Sequence, residues 1–358
     1  MRVLVTGNHG YIGSVLMPLL KRAGHHVCGL DGDWFEPCTL FNSDANWPHV
    51  RLDLREVRAD DLTGFNAVIH LAALSNDPLS NLDAELTYEI NHRASVHLAR
   101  LAREAGVERF LFSSSCSMYG TAGDDFLTED AAFNPVTPYG RSKVLAERDI
   151  SQLADDDFSP VFLRNATAYG VSPRLRLDLV LNDFVAAACT SGCIFIRSDG
   201  TPWRPVVHVE DICGAFLAAL EAPRDAVHNQ AFNIGRTDEN FRVSEMAEIV
   251  SEVVPGSRVQ YAADGGPDKR CYRVDCRKAE HTLPGFEPRW TVHRGAEQLR
   301  HAYREHGLTV DDISSPKFVR LRRLRELLDD RRLAADLRWV ATAVVEEQQD
   351  VALVSDEG

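Results

Sequence analysis

Tyr139 and Lys143 stand four residues apart in PYGRSK, a spacing that puts both on one face of a helix. A tyrosine hydroxyl, with an ordinary pKa of about 10, is a poor base at neutral pH. A neighbouring ammonium favours the phenolate and brings it toward working range. Ser113, Ser114 and Ser115 close the apolar stretch Arg109–Ser115, expected to be a strand beside that helix. A serine hydroxyl there can hold a substrate oxygen while Tyr139 moves its proton. The chemistry is oxidation and reduction at an alcohol carbon, which needs a hydride acceptor.

The acceptor's site is written at the N-terminus. Gly7, Gly10 and Gly13 form GNHGYIG, with His9, Tyr11 and Ile12 between them, directly after the apolar run Val3–Thr6. Glycines let the backbone turn tightly and approach a pyrophosphate, and the helix that follows presents its N–H groups to the anion. Asp31 ends the next strand, His26–Asp31, at the right distance for a ribose acid. Its carboxylate accepts from a ribose 2′-OH and repels a 2′-phosphate, so NAD is expected over NADP. Asp53 and Leu54, after a third short strand, are placed at the adenine ring. Leu71, Ala72 and Ala73 end the run Ala67–Ala73 and leave space for the cofactor.

These residues need a parallel sheet to hold them. Strands alternate with helices at Tyr11–Ala23, Glu85–Gly106 and Tyr139–Leu153, and Pro160–Asn165 is a further strand. The pattern predicts an α/β fold: a Rossmann-type, doubly wound parallel sheet with a smaller substrate-binding region. The NAD-binding domain is expected over 1–167, with 205–235 returning to it. Residues 168–204 and 236–310 form the substrate-binding region, with helices at Leu177–Ser191, Val209–Ala222 and Val243–Val254. Residues 311–358 form a helical extension and acidic tail. The extension is expected to be one amphipathic helix, Phe318–Ala343, its arginine-rich face solvated, with contact to a phosphate or an acidic neighbour as the alternative.

The chain has 358 residues, 39 Lys plus Arg and 53 Asp plus Glu, for a net charge of −14. That balance argues against a nucleic-acid binder. No apolar run is long enough to span a membrane. The eight cysteines form no CxxC pair and no zinc-ligand pattern, so no metal site is expected and reduced thiols point to the cytoplasm.

Together the motifs resemble the extended short-chain dehydrogenases/reductases of the NAD-dependent epimerase/dehydratase family. GNHGYIG, Asp31, HLAA at His70–Ala73, SSSCSMYG at Ser113–Gly120 and YGRSK at Tyr139–Lys143 carry the likeness, continued by LRNATAYG and RPVVHVEDI. The resemblance implies bound NAD and a nucleotide-diphosphate sugar as substrate. It implies that Ser115, Tyr139 and Lys143 are catalytic, with Asn91, Ser113, Tyr139 and Lys143 also on the cofactor. It places Asn91 beside the active site and Asn165, Asn182, Arg204, Arg270 and Tyr272 on the substrate. Ordinary roles stay open for the last four: a helix cap for Asn182, an interdomain ion pair for Arg204, surface or hinge positions for Arg270 and Tyr272. A homodimer is implied through the helices of Asn91 and Tyr139. One departure narrows the chemistry. The family's dehydratases carry an Asp–Glu pair where this chain has Cys116 and Ser117. An epimerase, most simply at C4, is therefore expected, with a net-redox sugar or secondary-metabolite dehydrogenase or ketoreductase as the alternative. A nucleotide-sugar decarboxylase or dehydratase is less favoured.

Overall fold

A computed structural model describes residues 1–42, 47–263, 265–266 and 270–340. Its centre is a seven-stranded sheet: β1 (Arg2–Thr6), β2 (His26–Asp31), β3 (His49–Arg51), β4 (Ala67–His70), β5 (Arg109–Ser115), β6 (Ser159–Asn165) and β7 (Gln230–Ile234). The order is β7-β6-β5-β4-β1-β2-β3, and every neighbouring pair is parallel. Val3–Val5, Ala67–Ile69, Phe110–Phe112 and Val161–Leu163 are buried because helices cover both faces of the sheet. Helix α1 (Gly13–Arg22) and the helix Val209–Glu221 pack on one face. Helices α2 (Ser95–Glu104) and α3 (Pro138–Ser151) pack on the other. The strand order reverses between β1 and β4, and such a switch point opens a crevice at the strands' carboxyl ends.

A second hydrophobic cluster joins the helices Val180–Ser191, Val243–Val253 and Val292–Glu305. It stands against a three-stranded sheet of Asn240–Arg242, Trp203–His208 and Thr167–Tyr169.

Two expectations are corrected. Glu85–Gly106 is not one regular helix: an α-turn over Ala84–Tyr88 passes through a π-turn, Glu89–Ala94, into α2. The buried Asn91 sits in the π-turn, and its amide both accepts from the Leu74 N–H (2.8 Å) and donates to the Leu74 carbonyl (3.0 Å). The C-terminal helix is also shorter than its periodicity suggested. Helix α4 runs from Arg320 to Asp329. Arg331 then takes φ 55° and Leu337 φ 63°, and a bridge pairs Leu333 with Trp339. Leu324, Leu327, Leu333 and Leu337 bury against Leu74, Leu79, Leu86 and Ile90. The arginine-rich face is not wholly solvated, since Arg320 is 2% exposed. Ala343 and the acidic stretch 346–358 lie outside the described residues.

Candidate active site

A cavity of about 910 Å³ opens at the carboxyl ends of β1, β4 and β5 and runs between the two hydrophobic clusters. Its near end is the glycine loop. Gly7 has φ +75°, and a Cβ there would lie 2.7 Å from the Ala72 nitrogen. A Cβ on Gly13 would lie 2.3 Å from the Gly7 carbonyl oxygen. Only bare backbone therefore fits between β1 and the end of β4. Gly10, Tyr11, Ile12 and Gly13 line the cavity at the start of α1, a cradle suited to a diphosphate.

Asp31 lines it at the end of β2 and accepts from the backbone N–H groups of His9 (3.2 Å) and Asp33 (2.9 Å). Burial, then the charge of Asp33, raises its pKa. Asp33 is itself held down at about 2: burial pushes it up, but hydrogen bonds from His49 and His9 outweigh that. His9, placed on the cofactor by the sequence, instead gives its ring to Asp33 at 2.6 Å and stacks on His49 at 4.0 Å. It shapes the ribose corner without lining the cavity. His9, Asp33 and His49 are the one group of metal-capable side chains among the described residues. Both rings are engaged by the one Asp33 carboxylate, His9 at 2.6 Å and His49 at 3.0 Å. Asp53 and Leu54 line the same end, with Arg55 gripping Asp53 at 2.6 Å. Leu71, Ala72 and Ala73 form the wall beyond β4. The cradle, the ribose acid and the small-residue wall fit NAD.

Helix α3 starts because Thr137 accepts from the Gly140 N–H at 3.2 Å and Pro138 fits its first turn. It presents Tyr139 and Lys143 to the end of β5. Tyr139 faces Ser115, whose Oγ accepts from the Ser117 N–H at 3.2 Å. The proximity of Lys143 does not bring the phenol down. Burial pushes Tyr139 up to about 12, against the pull of the nearby Ser115 hydroxyl. The reason is geometric: Lys143 Nζ donates to the Ser113 carbonyl at 2.7 Å and lies 5.9 Å from the centre of the Tyr139 ring. Burial also holds Lys143 down at about 7, with Glu147 opposing it. Glu147 is bound by Arg164 at 2.8 Å, both side chains buried behind the site.

At the far end, Arg204, Arg270 and Tyr272 line the cavity. Arg204 donates to the Arg270 carbonyl, and Arg270 pairs with Asp77. Asn165 lines it too: its amide nitrogen donates to Ser113 Oγ at 3.1 Å, and its buried carbonyl oxygen has no partner among the described residues. Asn182 and Asn91 do not reach the cavity. Asn182 accepts from the Gly170 N–H (3.0 Å) and donates to the Tyr11 hydroxyl and the Arg176 carbonyl, so it locks the loop behind the site. Asn91 fastens Leu74 and donates to Ser142 at 3.3 Å.

The sequence reading missed several lining residues. Arg176 and its partner Asp178 project from the loop after Tyr169, and PRLRLD offered only a charge alternation as a signal. Asp77 accepts from Thr137 at 2.7 Å beside Tyr139, and nothing marks it in the sequence. Trp34, Phe35 and residues 319–322 close the cofactor end. Cys116 is fully buried and donates to the Arg164 carbonyl at 3.0 Å, and burial raises its pKa far out of working range. Ser117 lines the cavity.

A model of the NAD dependent epimerase/dehydratase family matches residues 3–235. A UDP-glucose 4-epimerase of Mycolicibacterium smegmatis is 30% identical, over 82% of this chain and 96% of its own. That of Bacillus subtilis is 28% identical, over 84% and 94%. Among solved structures, MoeE5 in complex with UDP-glucose and NAD superposes with a TM-score of 0.74 at 30% identity, over 85% of this chain and 99% of that one. No helix among the described residues is long and apolar enough to cross a membrane. With the glycine cradle, Asp31 and the Ser115–Tyr139–Lys143 set assembled on a parallel sheet, the chain belongs to the NAD-dependent epimerase/dehydratase family and is an NAD-dependent epimerase of the short-chain dehydrogenase/reductase superfamily.

Proposed function

We propose that the substrate is a nucleotide-diphosphate sugar and that the chain inverts its C4 hydroxyl. The observation that carries this reading is the make-up of the reacting end. Ser115 and Tyr139 face the cavity together there, and the two positions after Ser115 hold a buried thiol and a serine in place of carboxyl groups. Water elimination needs an acid and a base besides Tyr139. The nearby carboxylate, Asp77, is engaged by Thr137 and Arg270.

NAD, when bound, accepts the hydride and returns it. The protein's part is to move one proton and hold one oxygen. Lys143, held down at about 7 by burial, is the group that can lose its proton near neutral pH, while burial keeps the Tyr139 phenol protonated at rest. Tyr139 therefore acts as a relay: it takes the sugar's hydroxyl proton as its own proton passes on toward the neutral amine of Lys143. Ser115 donates to the oxygen as it becomes a ketone. Return of the proton from Tyr139 completes the cycle, with the keto-sugar turned in the cavity between the two transfers. Arg204, Arg270, Tyr272 and the open carbonyl of Asn165 are the groups assigned to the nucleotide diphosphate and sugar. A homodimer through α3 and the helix of Asn91, and a cytoplasmic location, complete the reading.

The test offers purified protein a panel of UDP-, GDP-, TDP- and CDP-sugars while mass and NADH absorbance are followed. A C4 isomer of unchanged mass, with no NADH accumulating, is expected. A two-dalton change matched by NADH would make the enzyme a net dehydrogenase or reductase, and loss of water a dehydratase.

A further inference from the structure

Residues 311–340 follow the region matched by the family model and cross the mouth of the cavity. At one side the Phe318 carbonyl accepts from the Leu177 N–H at 2.9 Å. At the other, Trp339 donates to the Gly32 carbonyl at 2.6 Å and Arg55 donates to the Asp336 carbonyl at 2.9 Å. Arg323 donates to the Trp34 carbonyl between them, at 3.3 Å. The segment thus ties the substrate-side loop to the strand ends that carry Asp31 and Asp53.

Arg320 lies in the middle of this crossing and lines the cavity. It is 2% exposed, and its Nη1 has no hydrogen-bond partner among the described residues. Its contacts are the Arg174 carbonyl at 3.0 Å, the Cys38 thiol and the ring of Phe35 at 4.5 Å. None of these is an anion. The nearby carboxylate Asp178 is spent on Arg176, by two hydrogen bonds of 2.9 Å, and on Asn76. Burial, together with the charges of Arg176 and Arg174, holds Arg320 down at about 10 against the opposing pull of Cys38 and Asp178. A buried guanidinium with an unused donor, beside a carboxylate already committed to Arg176 and Asn76, is costly unless a further anion completes it.

We propose that Arg320 is a diphosphate ligand for the bound cofactor, and that residues 311–340 form a clasp retaining NAD. Three observations select the cofactor's diphosphate over the substrate's. Phe35, on which the guanidinium stacks, follows Asp31 in the ribose corner. The segment is anchored on Gly32, Trp34 and Arg55. Arg204 and Tyr272 belong to the opposite end. The inference rests on NAD dependence, not on which sugar is epimerised. A clasp of this kind suits a reaction in which hydride leaves and returns within one turnover.

The test is calorimetric binding to the full-length protein, stripped of nucleotide, with NAD, adenosine and UDP as probes. Arg320→Met keeps the stem and removes the fork. It is expected to weaken NAD by about 10- to 100-fold, the worth of one charge-assisted contact. Adenosine, which lacks phosphates, and UDP should bind as before. Arg325→Ala, at an exposed position of α4, should change nothing. Unchanged NAD affinity, an equal loss for adenosine, or a loss for UDP alone overturns the assignment. If Arg320→Met does not fold, Arg320→Lys decides: an unaltered ratio of NAD to adenosine affinity overturns it, and a lowered ratio supports it. No arm depends on turnover, so a failed epimerase assay leaves this result standing.

Discussion

Lys143→Met should abolish turnover and yet steady the fold, by an amount that depends on pH in a definite direction. Lys143 is buried, and burial holds its amine down at about 7. In the unfolded chain the same amine titrates at about 10.4. Between these values the unfolded chain holds a proton that the folded chain has released. Stability contributed by this group therefore rises with pH across that window and is lowest below it. The limiting slope is about 1.4 kcal/mol per pH unit for one proton. From pH 7 to pH 9 the wild type should gain up to about 2.5 kcal/mol relative to Lys143→Met. Solvent relaxation around a buried amine makes about 1–2 kcal/mol the working figure. Methionine fills similar space without a charge, so the variant should be the more stable at pH 7, with its advantage fading toward pH 10. The lost hydrogen bond to Ser113 and any packing change are the same at both pH values and cancel in the difference. The assay is urea unfolding of both proteins, freed of nucleotide, at pH 7 and pH 9. A stability gap that stays constant between the two would refute the depressed amine, and with it the role of Lys143 as the group that receives a proton from Tyr139.

Three further outcomes follow from the same geometry. Tyr139→Phe should lose turnover by at least about 10²-fold, the usual scale of general acid–base catalysis, while NAD titrates with unchanged affinity; retained activity would remove Tyr139 as the base. Glu147→Gln removes the carboxylate that keeps Lys143 charged, so the acidic limb of the rate profile, expected near pH 7, should move to lower pH. The same change strands Arg164 and should cost about 3–5 kcal/mol on unfolding, so an unaltered melting curve would contradict the buried pair. Gly13→Ala forces a methyl to within 2.3 Å of the Gly7 carbonyl oxygen and 2.6 Å of Asn8 Cα; about 1–3 kcal/mol of stability and most NAD binding should go, as equilibrium dialysis would show.

The parts legible in the sequence are those whose reasons are local. Val3–Val5 and Phe110–Phe112 read as buried strands because a parallel sheet covered on both faces demands unbroken apolar runs. GNHGYIG and Asp31 read as a cofactor site because a tight turn and a ribose acid need those residue types at that separation. The illegible parts are set by long-range contacts. The π-turn depends on Asn91 finding the Leu74 backbone, 17 residues earlier, and no periodicity announces that. Arg176, on a loop, and Asp77, at the start of a short helix, are held in the site by partners far along the chain. Asn182 and Asn91 are marked by type and neighbourhood, yet their side-chain amides are used up inside the protein, and the His9 ring turns to Asp33. The leucines after Phe318 fit a helical period, but tertiary packing on Leu74 and Ile90 ends the helix at Asp329.

The clasping segment also sets an order of assembly. Trp339 meets Gly32 across 307 residues of sequence, and Arg338 meets Glu56 across 282. Contacts so distant cannot form until the sheet and the second cluster have both folded. During synthesis this stretch leaves the ribosome after the residues of the cradle. The cofactor cradle is complete in outline well before its cover arrives, so NAD meets an open site in the nascent chain and a closed one in the finished protein. Chains cut short before residue 311 would keep the cradle and the catalytic residues and hold their NAD only as long as diffusion allows.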